Sequence, residues 1–109
     1  MRYLILIFGF LGALSAVANP INVNDVNKYI GKEVTVCGRI SEVVNKSSYT
    51  FINLGGYYPN HKFYFYVNDG LIINKNKVNN VCGYGKIELH NGKPQIQIKN
   101  SSFLKFNYS

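Results

Sequence analysis

Residues 33–44, EVTVCGRISEVV, alternate in character along the run. Val34, Val36, Gly38 and Ile40 fall on one side, and Thr35, Cys37, Arg39 and Ser41 on the other. A period of two is that of a β-strand and conflicts with the 3.6-residue period of a helix. The same period recurs in 49–54 (YTFINL), 62–67 (KFYFYV), 80–89 and 94–99 (PQIQIK). In 80–89 the inward set is Val81, Gly83, Gly85, Ile87 and Leu89; in 94–99 it is Ile96 and Ile98, with Gln95, Gln97 and Lys99 outward. A chain dominated by such segments buries one face of each in a common β core.

The breaks between the segments are turn sequences. Gly55-Gly56-Tyr57-Tyr58-Pro59-Asn60 is a turn-rich loop, Asp69-Gly70 ends the third segment, and Asn91-Gly92 predicts a two-residue hairpin. Ahead of the first strand, Asn24-Asp25 can cap a short helical turn carrying Val26, Tyr29 and Ile30, which Gly31 ends. Residues 71–79, LIINKNKVN, place Leu71, Lys75 and Val78 on one helical face, but their β-branched residues and asparagines make a poor helix. A short helix or an irregular crossover is expected there. Five strands with the one irregular segment between the third and fourth is the order of a five-stranded Greek-key OB-fold barrel, an all-β fold in which the first strand pairs with the fourth. Gly38, Gly83 and Gly85 in the inward sets suit strands that bend to close a small barrel.

The first eighteen residues read differently. A cation at Arg2, an apolar run from Leu4 to Leu14, and small residues at Ala16 and Ala18 form the pattern of a signal peptide cleaved after Ala18. The apolar run is short beside the roughly 20 residues of a membrane span. The mature chain, 19–109, is then one small exported OB-fold domain, periplasmic or secreted. It carries eleven Lys and Arg against five acids, a net charge near +6 that favours polyanionic partners or simply keeps an exported protein soluble.

Two cysteines in an exported chain read as a disulfide. Cys37 and Cys82 sit in matching Val-Cys-Gly contexts, on the outer side of the first and fourth strands. As antiparallel neighbours those strands permit a cross-strand bridge; the alternative is two separate thiols. No CxxC motif is present, and two Cys with His61 and His90 lack metal-ligand spacing, so no metal or other cofactor is expected and both histidines are read as surface residues. Glu42, Asp69 and Glu88 fall on separate strand ends or turns, and no Ser-His-Asp set, P-loop or HExxH occurs. A non-enzymatic role is expected.

The runs YIGKEVTVCGRI, YTFINLGGYYPNHKFYFYV and VCGYGKIELHNGKPQIQI, spanning about Tyr29 to Ile98, resemble the small bacterial exported OB-fold nucleic-acid-binding-like domains. The resemblance implies a β-barrel and polyanion binding. The chain departs from that pattern at 71–79, where a more definite helix is usual.

KFYFYV sends Phe63, Phe65 and Val67 one way and Lys62, Tyr64 and Tyr66 the other. The outer face of the second and third strands is the usual ligand surface of an OB-fold. It would show Tyr49, Phe51 and Asn53 with Tyr64 and Tyr66, with Arg39 beside them and Tyr57, Tyr58 and Lys62 from the adjoining loop. Aromatic rings interleaved with cations suit single-stranded nucleic acid, since bases stack and cations meet phosphates. The expected function is therefore binding of single-stranded nucleic acid or another polyanion. Competing readings are glycan or lipopolysaccharide binding, docking of an envelope protein, cross-strand tyrosine pairs that only stabilise the sheet, and a face covered by the tail 100–109.

Overall fold

The computed structural model describes residues 19–107. The predicted signal peptide, residues 1–18, lies outside the described residues, as do Tyr108 and Ser109. Among the described residues no helix is long and apolar enough to cross a membrane.

The fold is mostly β. Its strands are β1 (Ile21–Asn22), β2 (Glu33–Asn45), β3 (Thr50–Leu54), β4 (Phe63–Val67), β5 (Asn80–Lys86), β6 (Glu88–His90), β7 (Lys93–Ile98) and β8 (Leu104–Phe106). They form one sheet in the order β6-β7-β4-β3-β2-β5-β8, with β1 parallel to β2. Strand β2 serves two neighbours. Its first half pairs with β5, from Glu33 opposite Lys86 to Arg39 opposite Asn80. Its second half pairs with β3, and the register shifts between Ile40 and Glu42 where it changes partner. A bulge of this kind adds a residue on one strand and bends it. Gly38, just before the bend, leaves room for Leu54: a Cβ there would lie 3.2 Å from the leucine Cδ1.

The expected pairing of the first strand with the fourth is present as β2 with β5. The expected closed barrel is not, because the sheet is open and no ladder joins β5 to β7. The backbone beyond β5 bonds elsewhere: Ile87 N donates to Lys32 O and Gly31 N donates to Ile87 O. The two arms meet through side chains instead. Gly85 lies so close to Ile96 that a Cβ would come within 2.5 Å of its Cγ2, and a Cβ on Gly83 would run into the Phe65 ring. Between the arms Val36, Ile40, Ile52, Leu54, Phe63, Phe65, Val67, Val81, Ile87, Ile96 and Ile98 form the core. Phe63 and Phe65 meet edge to face at 5.0 Å, and burying each ring contributes about 1.5–3 kcal/mol.

Several local expectations change. The N-terminal turn is a 3₁₀ helix over Val23–Tyr29, capped by Asn22, whose side chain accepts from Asn24 N. Val26 is its buried residue, while Ile30 is exposed. Strand 80–89 breaks at Ile87, so Leu89 moves to the edge strand β6 and is 56% exposed rather than inward. The crossover 71–79 is irregular except for one 3₁₀ turn at Lys75–Lys77, and it buries Ile73. The Asn91-Gly92 hairpin forms with both residues at positive φ, 52° and 80°. Strand β8 pairs with β5, so the described tail extends the other arm of the sheet and leaves the tyrosine face uncovered.

Candidate ligand-binding groove

The register of four strands builds this face. Glu42 on β2 stands opposite Asn53 on β3, Asn53 opposite Tyr64 on β4, and Tyr64 opposite Gln95 on β7. One step along, Val44, Phe51, Tyr66 and Gln97 form a second row in the same way. In a sheet such rows lie about 7 Å apart along the strands. The first row is polar apart from its tyrosine ring. The second is apolar and aromatic, ending in an amide. Together they floor a groove of ≈ 860 Å³, which the loop residues Tyr58, Pro59 and His61 and the hairpin residues His90, Asn91 and Lys93 flank.

The rings are in mutual contact. Phe51 meets Tyr66 at 5.5 Å and Tyr64 at 5.7 Å, and Tyr49 meets Phe51 and Tyr66, each at 5.5 Å. Tyr64 is 7% exposed, and burial pushes its hydroxyl pKa up. His61 is sandwiched between Tyr58 at 5.8 Å and Tyr64 at 5.4 Å.

The loop between β3 and β4 is held from both sides. Gly55 turns the chain at φ +76°. Glu42 Oε1 then accepts from Tyr58 N at 3.0 Å and from Asn53 Nδ2 at 2.9 Å. Those two bonds, the backbone one first, lower the Glu42 pKa from the usual 4.5. From the other side Lys93 Nζ donates to Pro59 O at 2.9 Å and to His61 O. Burial lowers the His61 pKa from 6.5, and the nearby Lys93 cation lowers it further. The ionisable lining thus mixes signs: Lys46 and Lys93 against Glu42.

Of the residues expected at the site, Phe51, Tyr58, Tyr64 and Tyr66 line the groove. Tyr49 supports its floor through the ring contacts above. Tyr57 is 67% exposed and lies beyond the rim. Arg39 precedes the bulge and faces Asn80 across the β2–β5 ladder, off the groove. Lys62 turns away and donates to Asn24 Oδ1 at 3.0 Å. His61, read as a surface residue, is 5% exposed.

Glu42, His61, Lys93, Gln95 and Gln97 join the site from outside the expected set. The alternation of PQIQI already turned both glutamines outward. Glu42 was hidden by the bulge, since strict alternation from Arg39 sends Ser41 outward and Glu42 inward. The extra residue reverses that parity.

Cys37 and Cys82 form a disulfide across β2 and β5, on a different part of the sheet. Among the described residues no three His, Cys, Asp or Glu gather where a metal could bind. The chain matches no protein-family model and no curated protein.

Proposed function

We propose that this chain is an exported, non-enzymatic binding module of the OB type, and that it holds single-stranded nucleic acid across the β2–β3–β4–β7 face. The observation that carries the reading is the aromatic row Phe51–Tyr66, buttressed by Tyr49 and Tyr64 and set in an open groove. Bases stack on such rings at about 1–3 kcal/mol each without needing a particular sequence. The net charge near +6 on residues 19–109 supports attraction of a polyanion, and Lys46 brings one of those charges to the groove. The strand path β7-β4-β3-β2-β5 supports the OB assignment, since that fold is a partly open five-stranded barrel that binds on the face of its second and third strands. The resemblance to exported OB-fold nucleic-acid-binding-like domains points the same way, and the disulfide fits an oxidising periplasmic or extracellular setting.

The test is fluorescence anisotropy of the oxidised protein with labelled single-stranded DNA, duplex DNA and RNA across a salt series. Saturable binding that prefers single strands, with log affinity falling by about 0.7 per phosphate contacted in log salt, is the expected result. Absence of binding at low salt overturns the reading.

A second reading, glycan binding, is favoured by one observation. Arg39 and Lys62 lie off the groove while the uncharged Asn53, Gln95 and Gln97 line it. Sugar rings stack on aromatics too, and their binding would be nearly flat with salt.

A further inference from the structure

The polar row holds hydrogen-bonding capacity that the fold does not use. Gln95 and His61 are each 5% exposed, and both line the groove. Among the described residues no group bonds the Gln95 amide or either ring nitrogen of His61. The His61 Nδ1 is wholly covered and unpaired, which leaves Nε2 as the nitrogen a ligand can reach. Polar groups this buried are as a rule hydrogen-bonded. His61 Nδ1 is such an exception within the fold, whereas the unpaired Gln95 amide and His61 Nε2 keep accessible surface on the groove, where a ligand can bond them.

Glu42 gives that place its chemistry. Its Oε1 already accepts from Asn53 and Tyr58, which fills the two lone-pair positions of that oxygen. Among the described residues nothing donates to Oε2. Asn53 spends its amide nitrogen on Glu42, so its Oδ1 is left as a second acceptor in the row. One end of the row is therefore rich in acceptors, one of them a carboxylate, and the Gln95 amide lies at the other.

We infer that the Glu42–Asn53–Tyr64–Gln95 row reads a base edge and selects guanine. The inference rests on the single-strand reading above. Guanine is the base whose Watson–Crick edge presents two adjacent N–H donors, N1–H and the N2 amine. Two acceptors on residues that stand opposite one another, Glu42 and Asn53, match it. Thymine flanks its single N–H with carbonyls, and adenine and cytosine place an acceptor ring nitrogen beside the amine, so each would turn an acceptor toward the carboxylate. Single-stranded bases are read on these edges once splayed and stacked. Here Phe51 and Tyr66 supply the stack and Tyr64 the floor between Asn53 and Gln95.

The experiment is anisotropy at fixed low salt with the full oxidised protein and labelled dT heptamers. Their central nucleotide is dT, dA, dC, dG or deoxyinosine, the last being guanine without its N2 amine. The expected result is tightest binding to the dG heptamer, with a loss of about fivefold or more on going to deoxyinosine. E42Q keeps an oxygen for Asn53 and Tyr58 and should flatten that step from dG to deoxyinosine. Comparable binding of the dG and deoxyinosine heptamers overturns the guanine inference and leaves the stacking reading standing. That comparison uses the parent protein alone, so it holds whatever becomes of the variant. Failure to bind any heptamer, or displacement by a neutral oligosaccharide, overturns the nucleic-acid reading and the guanine inference with it.

Discussion

Cys37 and Cys82 stand directly opposite one another in the β2–β5 ladder, with Cα atoms 4.1 Å apart and their sulfurs bonded. The bond closes a loop over a separation of 45 residues, and the chain-entropy estimate for such a loop is roughly 4 kcal/mol. Small domains hold only about 5–15 kcal/mol in all. The Cys37→Ala/Cys82→Ala protein should therefore unfold at markedly lower urea, with a stability loss of about 2–4 kcal/mol. Equal urea midpoints for the parent and the double variant would refute this.

Acid should loosen the groove before it unfolds the sheet. His61 has a folded pKa below the ordinary 6.5 because burial disfavours its cation. The unfolded chain then takes up the proton first, so stability falls as pH drops below about 6.5 toward the lower folded value. Glu42 acts in the same direction at lower pH: its depressed pKa gives stability that is present above 4.5 and is lost as pH falls through the folded value. Thermal midpoints should thus decline from pH 7 to pH 5, and His61→Gln should flatten that decline. An NMR titration that places the His61 midpoint above 6.5 would contradict the argument.

Strand parity is local, so much of the sheet was legible in the sequence. Alternation alone turned Phe63, Phe65 and Val67 inward and Tyr64 and Tyr66 to the other face. The Asn91-Gly92 hairpin followed from turn chemistry, and strand order permitted a bridge between Cys37 and Cys82, whose register only the ladder supplies. What stayed hidden depends on which strand lies next to which. The bulge after Ile40 arises because β2 changes partner there, and it moved Glu42 into the groove and separated Arg39 from it. Ile87 leaves the ladder to bond residues 31–32, which exposed Leu89 and left the sheet open. His61 reads as polar in sequence and is buried because Tyr58 and Tyr64 close around it.

The displaced cations give a direct comparison. Tyr66 is half-buried in the groove floor, in contact with Phe51 and Tyr49. Tyr66→Ala should weaken binding of single-stranded DNA about tenfold, the lower-middle range for loss of one stacked base. Arg39→Ala and Lys62→Ala remove groups that lie off the groove, and each should leave affinity within about twofold at 0.15 M salt, where the screening length is about 8 Å. If the two cation variants cost more than the tyrosine variant, the bound strand follows a path other than the groove.

Lys93 separates a positioning role from a phosphate contact. Its Nζ donates to the carbonyls of Pro59 and His61 and so ties the β6–β7 hairpin to the loop that Glu42 holds from the other side. Lys93→Met keeps the length of the stem and removes the tie. The loop should then sample more conformations, and affinity for single strands should fall about tenfold, the lower end of the value of one charged hydrogen bond. Two of its three protons are engaged by those carbonyls, and a Lys93 that holds the loop rather than a phosphate displaces no counterion from the strand. The slope of log affinity against log salt should therefore match the parent's while the whole line drops. A slope shallower by about 0.7 would instead make Lys93 a direct phosphate ligand, and the loop would have to be held by Glu42 alone.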